Sequence, residues 1–129
     1  MSEIDSEALA RRLAELADAK QGDEILVLDM RALVSYTDFL VICTARNERH
    51  TRAIVEDVKL QVKGELSRMP GGMEGEGADG WIVLDYLDCV VHVFTAEERA
   101  RYQLEDLWRE APRLELTFDA PEASSAANA

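Results

Sequence analysis

Leu9, Leu13, Leu16 and Ala17 recur at three- and four-residue spacing within 6–20, with Asp5 or Ser6 placed to cap the start and Gly22 to stop the run. This pattern predicts a helix packing by a narrow stripe. Glu24 to Met30 turns aliphatic and β-branched, and Asp38 to Thr44 repeats the pattern after a short connection, which predicts an antiparallel strand pair. From Asn47, a candidate N-cap, Ile54, Val55, Val58, Val62 and Leu66 hold helical spacing to about Arg68 and mark the longest helix. Met69 to Gly77 concentrates Gly and Pro, which predicts a flexible loop between the two halves.

Trp81 to Tyr86 and Cys89 to Phe94 read as two strands around Leu87-Asp88, a hairpin without the glycine usual at such a turn. Thr95 and Glu98 have capping-box spacing, opening a helix that continues through Leu104, Leu107 and Trp108 and ends at Pro112. Arg113 to Phe118 suits an extended piece. The order is α-β-β-α-β-β-α, with the long helix crossing between the hairpins and no internal repeat. It predicts a single α/β domain with a mixed sheet over 1–118 and a disordered acidic tail over 119–129, where Pro, Ser and Ala bring little apolar bulk.

Side chains alternate across a strand, so parity separates the faces of the second hairpin. One face carries Ile82, Leu84, Tyr86, Cys89, Val91 and Val93 and is uniformly core-like. The other carries Trp81, Val83, Asp85, Val90, His92 and Phe94, and a two-residue turn sets Trp81 opposite Phe94 and Val83 opposite His92. Anchoring apolar groups mixed with a carboxylate and an imidazole suit a partner-binding patch. Asp29, sharing a face with Ile25 and Val27, extends the pattern to the first hairpin. The alternative is that a helix covers this face and local hydrogen bonds satisfy Asp85 and His92.

Charge narrows the candidates. Of 129 residues, 26 are acidic and 14 basic, a net charge of −12, with 47% hydrophobic, enough for one core. Phe39 to Cys43 is among the longest apolar runs, far short of the ~20 residues a membrane helix needs. The start, Met1-Ser2-Glu3-Ile4-Asp5, is acidic where a secretory signal is basic, so a soluble cytoplasmic protein is expected. Cys43 and Cys89, each inside an apolar run, suit a reducing compartment, and with His50 and His92 they offer no zinc spacing. Neither metal nor cofactor is expected. The negative charge argues against direct high-affinity nucleic-acid binding, so a role near RNA calls for a basic protein partner. Arg46, Arg49, His50 and Arg52 form a small basic cluster at a helix start, read as a solvated helix end, with a local anion or RNA contact as the other reading.

Catalytic readings fare poorly. Asp29, Asp38, Asp85 and Asp88 invite metal-assisted phosphoryl transfer, but a paired-metal strand wants carboxylates at i and i+2 and none of the four has one. Gly71 to Gly77 leads into a strand rather than a helix, so it does not form a phosphate cradle. Parity sets Cys89 on the opposite face from His92, against a Cys-His nucleophile. The chain is expected not to be an enzyme.

Three stretches of the second half carry a resemblance: Gly80 to Tyr86, Asp88 with Val90 to Phe94, and Glu98-Arg99 on through Tyr102, Leu104-Glu105 and Leu107-Trp108. In the first half, Asp23 to Asp29, Thr37 to Thr44, and Arg49-His50 with Ala53-Ile54 agree. Over about 6–112 the chain resembles the ribosomal silencing factor family, also called Iojap-like. The resemblance implies a factor that binds the large ribosomal subunit through ribosomal protein fourteen, beside the intersubunit face. There it sterically blocks joining of the small subunit and represses translation. It implies a fold similar to nucleotidyltransferases without their Gly-Ser and Asp-x-Asp signatures, and no need for catalysis. Tyr86 and Asp88, inside the resembling segment, join the six residues of the mixed face as the expected partner-binding site. Leu87 departs from the family, which usually has Gly there. A homodimer of the free chain is a second use for the patch. An adaptor for another basic protein and a degenerate nucleotidyltransferase are the alternative readings.

Overall fold

The computed structural model describes residues 4–75, 80–116 and 118. Helix α1 (Ser6–Ala19) is capped by Asp5, whose carboxylate accepts from the Ala8 amide at 2.8 Å. It stops before Gly22, because Gln21 takes the left-handed turn at φ 71°. Gly22 serves a different purpose. Its amide donates to the Ala17 carbonyl at 2.9 Å, and a Cβ there would stand 3.0 Å from that oxygen.

Strand β1 (Asp23–Asp29) pairs antiparallel with β2 (Phe39–Ala45), and helix α2 (Glu48–Leu66) follows, capped by the Asn47 side chain at 2.8 Å from the His50 amide. The Gly-rich segment is not wholly a loop. Gly72–Glu74 forms a short strand β3 along β4 (Trp81–Asp85), with Met73 against the core. Strand β5 (Cys89–Thr95) pairs antiparallel with β4 and parallel with β2, giving the sheet order β1-β2-β5-β4-β3. The α2 crossover makes the parallel pairing reachable, since parallel neighbours cannot be joined by a tight turn.

The last predicted helix is two pieces, α3 (Ala96–Tyr102) and α4 (Leu104–Leu107), broken at Gln103 with φ 48°. Buried Arg99 fixes the break. Its guanidinium donates to the Glu24 carbonyl at 2.6 Å and the Thr44 hydroxyl at 2.8 Å, and meets Glu105 at 3.1 Å. Only half of the capping box forms. The Thr95 hydroxyl accepts from the Glu98 amide at 3.4 Å, while the Thr95 amide is taken by the Gly80 carbonyl at 2.8 Å. Gly80 has φ 90°, and a Cβ there would fall 2.8 Å from the Thr95 hydroxyl, so this close approach requires glycine.

Two apolar clusters sandwich the sheet. Under α1 and α2, Leu9, Leu13, Ile54 and Val58 pack on Val27, Val41, Leu84 and Val91. On the opposite face a smaller cluster of Leu28, Met30, Leu40, Ile42, Phe94 and Ala111 lies with Leu104 and Trp108 against it. Arg113 bridges Leu28, and the Leu114 amide donates to the Val27 carbonyl at 2.9 Å, so the start of the expected extended piece, Arg113 and Leu114, lies along the outer edge of β1. The expected tail over 119–129 lies outside the described residues. No helix among the described residues is long and apolar enough to cross a membrane.

Candidate functional site

The second hairpin has the register that parity predicts: Trp81 opposite Phe94, Val83 opposite His92, Asp85 opposite Val90. Tyr86 and Cys89 close the turn with an amide-to-carbonyl bond of 2.8 Å. Leu87 takes the left-handed position at φ 76°, the place for which glycine is suited. Three contacts hold this strained turn. The Asp85 carboxylate accepts from the Leu87 amide at 2.7 Å, and Arg68 reaches the Tyr86 carbonyl at 2.7 Å and the Asp88 carboxylate at 3.0 Å.

On the face away from α1 and α2, Trp81, Val83, Asp85, Val90 and His92 are each partly exposed. The face is half covered: Leu104 and Trp108 pack with the second cluster and α3 lies over β5 and β2, with its Tyr102 against Trp81, while Trp81, Val83, Asp85, Val90 and His92 keep part of their surface open. Other segments thus cover part of this face, as the alternative reading expects, and part of it is left uncovered. Aromatic rings line the boundary: Trp81 stacks on Phe94 at 4.9 Å and meets Tyr102 at 4.4 Å, with His92 6.0 Å from Trp81 and from Phe94. Tyr102, about half exposed at 49%, is a member of this group that the sequence reading passed over. Its signal lies in its position, on the second turn of a helix that starts directly from β5 and so folds back over that strand.

Trp81 Nε1 donates to His92 Nδ1 at 3.1 Å, which places the proton of the neutral imidazole on Nε2. Burial pulls the His92 pKa down to about 4, so the ring is uncharged at neutral pH. Indole, neutral imidazole, two valines and a carboxylate make a surface of mixed apolar and polar character, the kind on which desolvation and shape decide binding.

Three sequence expectations need correcting, and Asp88 has a structural task as well. Phe94 has no exposed surface, because it is central to the second cluster, so it supports Trp81 from below. Tyr86 is likewise core on the α1/α2 face, where burial raises its hydroxyl to about 12, and it presents nothing to a partner. Asp88 stays partly exposed and also braces the turn, held by Arg68, whose guanidinium stands 5.8 Å over the Tyr86 ring. The first hairpin does not extend the mixed face: Val27 aligns with Val41, and Val41 with Val91, so Asp29 shares the helix-covered side.

The other chemistry-bearing groups are engaged elsewhere. Asp29 is gripped by Arg31 at 2.7 Å, and that hydrogen bond lowers its pKa. Cys43 and Cys89 are buried, and burial pushes the Cys43 thiol up to about 12 and the Cys89 thiol up as well, leaving both protonated. Among the described residues, no three His, Cys, Asp or Glu side chains gather as a metal site.

A family model described as "Ribosomal silencing factor during starvation" matches residues 3–129. The ribosomal silencing factor RsfS of Bacillus subtilis (strain 168) is 33% identical over 115 residues, covering 89% of this chain and 97% of that one. A mouse relative named mitochondrial assembly of ribosomal large subunit protein 1 is 31% identical over 98 residues, 74% of this chain and 43% of its own. A crystal structure from Bacillus halodurans is similar with a TM-score of 0.72 and 34% identity, over 87% of this chain and 100% of that one. With the family model matched along nearly its whole length, this chain belongs to the ribosomal silencing factor (RsfS, Iojap-like) family.

Proposed function

We propose that the chain binds the large ribosomal subunit through ribosomal protein fourteen, using the open strip of Trp81, Val83, Asp85, Val90 and His92, and keeps the small subunit from joining. The observation that carries this reading is the uncovered, aromatic-rimmed half of the sheet face in a member of a ribosomal silencing family. The name of the mouse relative points the same way, to a ribosomal large subunit. With a net charge of −12, a basic protein is a more favourable first contact than RNA phosphates. The reading has no catalytic step and takes place in the cytoplasm. Translation falls because subunits held apart cannot initiate.

Sedimentation with purified ribosomal particles tests it. The protein should travel with free large subunits, leave joined ribosomes unbound, and lower the yield of joined ribosomes when mixed with both subunits. Equal binding to joined ribosomes, or none to free large subunits, would overturn it.

A further inference from the structure

At the end of the sheet nearest Trp81, the parallel neighbours β2 and β5 send their chains to opposite faces, into α2 and α3. A crevice opens there, outside the strand ends, as it does at topological switch points generally. Arg46, Arg49 and Arg52 line one wall, and Glu97 and Glu98 the other.

These arginines differ from most others in the chain. Arg11, Arg12, Arg31, Arg68, Arg99 and Arg101 each hold a carboxylate oxygen at 2.6–3.9 Å. Arg46, Arg49 and Arg52 make no ion pair among the described residues, although Glu48, Glu97 and Glu98 border the same crevice. Exposed guanidinium groups left unpaired in a protein of charge −12 are free for an outside anion. Their wall is firmly built. Buried His50 accepts the Arg46 amide on Nδ1 at 2.9 Å and donates from Nε2 to the Lys20 carbonyl at 2.7 Å, tying the start of α2 to the end of α1.

The crevice borders the docking strip. Thr95 lines it and directly follows Phe94, which pairs with Trp81, and Tyr102 on Trp81 belongs to the helix that forms the glutamate wall. We infer that the Arg46, Arg49 and Arg52 wall is a rim contact for ribosomal RNA phosphates, made once the neighbouring strip has engaged its protein partner. The inference rests on the proposed docking. Three guanidinium groups beside Glu48 and facing Glu97 and Glu98 hold free RNA poorly, and docking raises the local phosphate concentration. At physiological salt the Debye length is about 8 Å, so a phosphate seated on the arginines is shielded from the chain's more distant negative charge. Glu97 and Glu98 on the opposite wall confine that phosphate to the α2 side.

The test compares wild type with a triple Arg46→Ala, Arg49→Ala, Arg52→Ala variant and a triple arginine-to-lysine variant, all checked for fold by circular dichroism. Binding to purified large subunits is measured across a salt series, and binding to purified ribosomal protein fourteen alongside. The alanine variant should bind subunits more weakly, with a slope of log affinity against log salt shallower by about two, at about 0.7–0.9 per phosphate contact. The lysine variant should keep most of that slope, and all three proteins should bind isolated ribosomal protein fourteen alike. An unchanged slope in the alanine variant, a lysine variant as shallow as alanine, or an equal loss on the isolated protein would overturn the inference. Failure of wild type to bind subunits at all would instead strike the docking proposal.

Discussion

Trp81 lies on both the fold and the surface, and its two contributions separate by measurement. It stacks on buried Phe94 and touches Tyr102, while part of its surface stays exposed. Trp81→Ala should leave a folded protein, less stable by about 1–3 kcal/mol from lost ring contacts. Its large-subunit affinity should drop at least about thirtyfold, the ~2 kcal/mol typical of a truncated interfacial anchor. Ile82→Ala opens a cavity on the α1/α2 side, costs about 2–5 kcal/mol by urea unfolding, and leaves the affinity of the folded fraction unchanged. His92 adds a pH dependence. Its folded pKa of about 4 lies below the ordinary 6.5, so the unfolded chain binds the proton more readily. Stability is therefore complete above about pH 6.5 and falls toward pH 4, by roughly 3 kcal/mol in all. The difference in urea midpoint between wild type and His92→Gln across that range isolates this term.

At the scale of elements, the second hairpin shows how a local preference is overruled. Leucine disfavours the left-handed state by about 1–2 kcal/mol, yet Leu87 holds φ 76° because Asp85 and Arg68 fix the backbone on both sides. Leu87→Gly relieves that strain and adds about 0.5–1 kcal/mol of unfolded-chain entropy. The side chain is 69% exposed, so little packing is lost, and thermal melting should rise by a few degrees. A lower melting temperature would show that the side chain contributes more than its strain. The sequence specified the turn's length and register here through β4 and β5 alternation. It did not show the split between α3 and α4, because that break depends on Arg99 reaching Glu24 and Thr44, residues far back in the chain.

For the whole molecule, charge acts on folding and docking with opposite signs. A net charge of −12 on one domain repels itself, and salt that shortens the Debye length from about 30 Å at 0.01 M to about 8 Å at 0.15 M screens that repulsion. The free protein's melting temperature should rise over that range, while affinity for a basic partner in the large subunit should fall. Calorimetry and sedimentation in the same buffers check both. A parallel rise in affinity would show that docking is not electrostatically assisted.

The sequence by itself determined the order of the main elements, though not β3 or the break between α3 and α4, together with the register of the second hairpin and the two faces of its strands, since each follows from periodicity within a few residues. It also carried the family resemblance, spread over segments from Asp23 to Trp108. Only the tertiary structure decided which side of the sheet stays open. Parity sorted Asp29 with Ile25 and Val27, but whether that side matched Trp81's required the β1–β2–β5–β4 pairing, a property of chain crossing rather than of any strand. It likewise decided that Phe94 is fully covered while Trp81, its cross-strand neighbour, is only partly so, because α3, α4 and the Trp108 segment reach only part of the way across the sheet. Coverage depends on where distant segments come to rest, and alternation along a strand carries no record of that.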